Sequence, residues 1–142
     1  MSASESGCVI DVSAVCAWCF EDERSPASEA LLAMLPTLDL HVPALFLWEL
    51  GNALVMAERR NRLSQADRQA FLALVQDLGL CIDQAEAAVI WHDGITLAQA
   101  HHLTAYDAAY LELAMRRGLP LASRDQALQQ AAERCRVPLL PC

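Results

Sequence analysis

The stretch Cys8-Val9-Ile10-Asp11-Val12-Ser13 runs three apolar residues, two of them β-branched, straight into a carboxylate. A short continuous apolar run suits a strand buried on both faces of a parallel sheet, here about Cys8–Asp11. A helical pattern follows over about Ala14–Phe20. In open parallel sheets, chemistry collects beyond the carboxyl ends of the strands, which is where Asp11 falls. A second reading stands beside this one: Asp11 or Ser13 caps the next helix. The choice depends on whether other carboxylates reach the same edge.

The rest of the chain alternates in the same way. Ser25-Pro26 reads as a cap and first helical residue, and that helix stops before Pro36. Asp39–Val42 is a short strand, and Pro43 opens a long helix from Ala44 to about Arg60. Ser64-Gln65-Ala66-Asp67 resembles a capping box and starts a helix that ends near Leu78-Gly79. Leu80–Ile82 is a third strand. A helix over about Ala85–His101 follows, with a weak or kinked point at Asp93-Gly94. Thr104 opens the helix Ala105–Arg117, which Gly118 and Pro120 terminate. Leu121–Ser123 is a fourth strand, Gln126–Arg134 a last helix, and Val137–Leu140 a final strand or edge segment. Short apolar strands alternating with helices imply an α/β three-layer sandwich with a mainly parallel sheet. No repeat or linker interrupts it, so one domain over residues 1–142 is expected.

Composition narrows the function. The chain is 55% hydrophobic and 20% charged, which suits a packed core. A formal net charge of −8 argues against a passive nucleic-acid binder, but not against an enzyme whose acidic pocket holds a divalent cation. All 10 basic residues are Arg, which removes a Walker A loop and the Lys-dependent acidic pockets of receiver domains and haloacid-dehalogenase-type phosphatases. No apolar run reaches the roughly 18 residues of a membrane span, and Met1–Gly7 lacks the basic start of a signal peptide. A cytoplasmic protein without membrane contact is expected. Cys8 and Cys81 read as buried strand residues. Cys16 and Cys19 lack the further ligands a structural zinc site needs.

Most acids lie in polar breaks or on helix surfaces, but four do not. Asp11 and Asp125 follow the first and fourth strands and so reach the same sheet edge. Glu49 lies among large apolar residues in Ala44–Leu50, a costly setting unless it is paired or bound to a cation. Asn52 shares its helix face. Asp107 occupies the first turn of its helix. Each has a plain structural alternative: Asp107 as part of a box with Thr104, Asp125 or Ser123 as a cap, Glu49 as a partly exposed helix residue. Together they would repel one another, and hard Mg²⁺ or Mn²⁺ with oxygen ligands resolves the repulsion.

Four segments, Val9–Ser13, Pro43–Leu54, Leu103–Leu111 and Leu119–Leu128, together resemble PIN-domain proteins, in particular the VapC-type toxins of bacterial toxin–antitoxin pairs. The likeness spans nearly the whole chain in order, and Leu103-Thr104-Ala105-Tyr106-Asp107-Ala108-Ala109-Tyr110-Leu111 is its most specific piece. Val12 stands where the family commonly has Ala, and Ser123 replaces the usual Thr while keeping a hydroxyl.

The resemblance implies a PIN-like fold and a Mg²⁺- or Mn²⁺-dependent endoribonuclease. Asp11, Glu49, Asp107 and Asp125 would be direct or water-mediated ligands, with Asn52 and Ser13 or Ser123 orienting ligands or water. Arg124 is the favoured RNA contact; the Arg59-Arg60-Arg62 and Arg116-Arg117 clusters also suit helix C-termini. His101 and His102 suit surface or cap roles. The resemblance further implies a VapB-like antitoxin partner and a homodimer. Core packing is the default for Trp18, Phe20, Phe46 and Trp48, with an interface as the alternative. Two rivals stay open: a catalytically inactive PIN-like binding or regulatory module, and a metal-dependent phosphatase or DNA nuclease on a related fold.

Overall fold

The computed structural model describes residues 6–142; most of the Met1–Gly7 segment expected not to be a signal peptide lies outside them. Four strands form one sheet: β1 (Gly7–Ile10), β2 (Asp39–Pro43), β3 (Cys81–Asp83) and β4 (Leu121–Ala122). Seven α-helices accompany them: α1 (Val12–Cys19), α2 (Pro26–Met34), α3 (Leu45–Arg59), α4 (Gln65–Asp77), α5 (Ile95–His101), α6 (Ala105–Arg117) and α7 (Gln126–Arg134).

The sheet order is β3-β2-β1-β4 and every pairing is parallel. All four β1 residues are buried, so helices cover both faces of this central strand. That burial is what the unbroken apolar run over Cys8–Ile10 encodes. The chain builds the sheet outward from β1 to β3, then returns to place β4 on the other side of β1. The strand order therefore reverses between β1 and β4, the kind of switch point beyond whose carboxyl ends ligands bind in open parallel sheets. Beyond β4, Leu121 N–H donates to Pro138 O (2.8 Å) and Leu140 N–H to Leu121 O (2.9 Å). The expected final segment is thus a single bridge at Leu139 along this edge.

Several boundaries move for physical reasons. Asp11 is a cap, so α1 begins at Val12 rather than Ala14. Pro43 ends β2, in register with Asp83, instead of opening the next helix. The expected helix over Ala85–His101 contains a π-helical stretch, Val89–Gly94, ahead of α5, which is the irregularity that Asp93-Gly94 marks. Cys81 is exposed because β3 is an edge strand. Gly118, at φ +64°, makes the left-handed turn that ends α6. All six cysteines are free thiols. Trp18, Phe20 and Phe46 join the core, whereas Trp48 is 84% exposed, against its expected core packing. Among the described residues, no helix is long and apolar enough to cross a membrane.

Two acids passed over in the sequence prove to be structural. Arg116 clasps Asp83 through both terminal nitrogens (3.1 and 2.6 Å), and its Nε donates to buried Glu112 (2.8 Å). The clasp ties α6 to the end of β3, and Arg117 also reaches Asp83. The hydrogen bond from Arg116 holds the Asp83 carboxyl below the ordinary carboxylate range. A depressed folded value means that this stabilisation is present above the unfolded value of about 3.9 and is lost as pH falls through the folded one. Asp83→Asn is expected to lower unfolding free energy by about 1 kcal/mol at pH 7, discounted for solvent access to Arg116. Urea denaturation should show the gap closing at acid pH; equal stability at pH 7 would contradict this role for the clasp.

Candidate active site

The switch between β1 and β4 fixes Asp11. The register pairs Ile10 with Ala122, and Asp11 N–H still donates to Ala122 O (3.1 Å). The next residues, Asp11 and Ser123, therefore emerge side by side. Asp11 Oδ1 accepts from the Ala14 N–H (3.2 Å) and from the Ser13 hydroxyl (2.6 Å). Its Oδ2 accepts from the Ser123 hydroxyl (2.5 Å). Each serine oxygen in turn accepts a backbone N–H: Ser13 from Arg124 (2.8 Å), Ser123 from Asp125 (3.0 Å). Asp11 sits at the strand end and is also the cap, because one extended residue at φ −102° and ψ 174° ends the strand ladder and opens α1. The cap is Asp11, not Ser13.

The other three acids arrive from separate elements. Asp125 caps α7 by accepting from Leu128 N–H (2.9 Å), so it, not Ser123, is the cap there. Thr104 caps α6 by accepting from Asp107 N–H (3.0 Å), which places Asp107 in the first turn. Glu49 is half-buried on α3. Its Oε1 accepts the Tyr110 hydroxyl at 2.5 Å, across 61 residues of chain.

The electrostatics tie the four together. Burial is the main cause that holds the Asp11, Glu49 and Asp107 carboxyls above their ordinary range. Mutual repulsion adds to it: Asp125 acts on Asp11 and Asp107, while Asp107 and Asp11 act on Glu49. Serine and backbone hydrogen bonds at Asp11, Tyr110 at Glu49 and Thr104 at Asp107 pull the other way. Among the described residues, no basic side chain figures among the groups acting on these three. Some acids elsewhere have Arg partners: Asp22 and Glu23 pair with Arg62, Glu58 with Arg68, Glu29 with Arg24.

An all-oxygen set of like charges without a protein cation suits a hard divalent ion. Among the described residues, however, no three His, Cys, Asp or Glu side chains close into a ready cage for one.

The remaining candidates divide. Ser13 and Ser123 bind Asp11 directly. Asn52 is exposed on α3, one turn beyond Glu49. Arg124 is exposed, and its Nη1 donates to Glu23 O (2.7 Å), which anchors it to the turn after α1. His101 contacts Arg134 and Cys135, and His102 is the left-handed residue ending α5. Tyr110 had no assigned role in the sequence. Its one signal was the Asp107-x-x-Tyr110 spacing, which puts both residues on one face of α6. Burial and Glu49 push its phenol far up, so it remains an O–H donor.

This geometry coincides with a family assignment: the PIN domain model matches residues 8–134, and the chain belongs to the PIN domain family. The sequence is 30% identical over 122 residues to Ribonuclease VapC3 of Pyrobaculum aerophilum, covering 86% of this chain and 92% of that protein. The fold is similar to the crystal structure of PAE2754 from Pyrobaculum aerophilum, with a TM-score of 0.71 at 23% identity, over 92% of this chain and 87% of that one. It is also similar to FitAcB from Neisseria gonorrhoeae, with a TM-score of 0.62 at 18% identity, over 93% and 95% of the two chains. Both structural likenesses bear on the fold alone.

The Ser123 bond to Asp11 makes a specific demand. Ser123→Ala leaves a buried carboxylate oxygen without its donor and is expected to cost about 1–3 kcal/mol. Ser123→Thr keeps the hydroxyl and is expected to cost less than half as much. Chemical denaturation of the two variants checks this, and equal losses would show that packing, not the hydroxyl, matters there.

Proposed function

We propose that this protein is a metal-dependent endoribonuclease, the toxin of a VapBC-type toxin–antitoxin pair. One observation carries the reading: among the described residues, the Asp11, Glu49 and Asp107 carboxyls come from separate elements and are raised by burial and by neighbouring carboxylates, Asp125 included, with no basic side chain among the groups that act on these three. Membership of the PIN domain family and the likeness to a protein named Ribonuclease VapC3 support it.

Asp11, Glu49, Asp107 and Asp125 would hold Mg²⁺ or Mn²⁺. The bound ion would supply an acidified water as nucleophile and offset charge on the phosphate under attack. The chain's own residues orient the carboxylates. Ser13 and Ser123 present Asp11 in one rotamer, and the caps at Thr104 and Asp125 fix where α6 and α7 begin. Asn52 would orient water beside Glu49. Without a cation this edge repels a phosphodiester, so RNA binding and ion binding are coupled. Arg124 has further donors beyond its bond to Glu23 and would meet an RNA phosphate beside Asp125.

The whole chain, residues 1–142, would act as one domain in the cytoplasm, as a homodimer, with a VapB-like antitoxin covering the acidic edge.

Asp11→Asn and Asp107→Asn are each expected to lower Mg²⁺- or Mn²⁺-dependent cleavage of single-stranded RNA by about 100-fold or more, beyond the usual effect of an outer-shell change. Asn caps a helix as well as Asp does, so circular dichroism should stay near that of the parent, with the unfolding midpoint lowered only by the loss of one serine hydroxyl's acceptor at Asp11. Parental RNA cleavage by both variants would refute the site. Cleavage of DNA or of a phosphomonoester, with RNA left intact, would refute the substrate class.

A further inference from the structure

We infer that Tyr110 is a positioning residue that sets Glu49 for metal binding; this rests on the reading of the acidic edge as a metal site. The Tyr110 side chain is 1% exposed, so its ring is fixed by the core. Its hydroxyl donates to Glu49 Oε1 at 2.5 Å and makes no other hydrogen bond among the described residues.

Glu49 is otherwise loosely held. It stands on α3 between Trp48, which is 84% exposed, and Leu50, which is buried, and it has no salt-bridge partner among the described residues. A half-buried glutamate has three side-chain torsions, and ordering them at the moment of ion binding costs entropy. The phenol meets that cost in the fold itself. It holds one oxygen and leaves Oε2 without a protein donor among the described residues.

The contact spans two helices. α6 thus contributes twice to the same edge, through Asp107 directly and through Tyr110 acting on Glu49 of α3. The spacing of three residues puts both side chains on one helix face, so a single rotation of α6 would move both. Outer-shell groups of this kind orient a ligand and tune its affinity.

The test uses full-length protein and Mn²⁺ alone, by calorimetry and by the Mn²⁺-induced rise in unfolding midpoint, with RNA cleavage measured in parallel. Tyr110→Phe keeps the ring in the core and removes only the donor. It is expected to weaken Mn²⁺ binding about 10-fold and to shift the Mn²⁺ dependence of cleavage by the same factor. The KM for RNA at saturating Mn²⁺ should stay at its parental value. In a Glu49→Ala background, where the acceptor is gone, Tyr110→Phe should weaken Mn²⁺ binding no further, because the two act as one unit. Parental Mn²⁺ affinity in Tyr110→Phe, or full additivity of the two substitutions, would overturn the role of Tyr110 whether or not the variant is less stable. Absence of Mn²⁺ binding by the parent protein would instead overturn the metal reading and, with it, this inference.

Discussion

Parallel pairing of β1 with β4 holds one carboxylate between two hydroxyls, and the rest of the site is built on that contact. Ile10 faces Ala122 across the seam, so the residues that follow meet as Asp11 and Ser123. Ser123 reaches Asp11 from one side and Ser13 from the other, and each serine is fixed by a backbone N–H of the Arg124-Asp125 turn. A slip of one residue in this register would turn Ser123 to the opposite face of the sheet. The apolar run Cys8–Ile10 guards against the slip, because both of its faces are buried. The core that stabilises the fold therefore also aims the acid.

The cost of the site is electrostatic. Three carboxyls are held above their ordinary range, first by burial and then by neighbouring carboxylates, Asp125 included. The chain has 10 Arg residues and a net charge of −8, and several of its cations are paired with acids elsewhere. Arg116 serves Asp83 and Glu112, Arg62 serves Asp22 and Glu23, and Arg68 serves Glu58. Repulsion left unrelieved at one place, while several acids elsewhere are paired, is how function draws on stability. Replacing Glu49 by Gln would relieve part of this strain and still accept the Tyr110 hydroxyl, so the site and the fold pull in opposite directions there.

The sequence carries the local half of this arrangement. The apolar run before Asp11, the serine and threonine caps at Ser25, Ser64 and Thr104, and the glycine stop at Gly118 are set by nearest neighbours. The structure places them where their chemistry puts them. The four acids were separable from the others because each broke the pattern of its surroundings. Contacts across many residues were not readable. Tyr110 finds Glu49 across 61 positions, and Asp83 meets Arg116 across 33; nothing in their local spacing says so. Trp48 misled for a related reason. On a helix its exposure depends on which neighbour is missing, and α3 leaves it in solvent. Asp11 shows the finer limit: strand end and helix cap looked like alternatives and are one residue's two roles.

The four carboxylates are proposed to form one coordination site at the β1–β4 edge. Anomalous diffraction from crystals of the parent protein grown with Mn²⁺ tests it most directly. A manganese peak bonded to Asp11 or Asp107 is expected, with Glu49 and Asp125 in its direct or water-linked shell. A peak confined to surface acids such as Asp22 and Glu23, or none at this edge at saturating Mn²⁺, would contradict it.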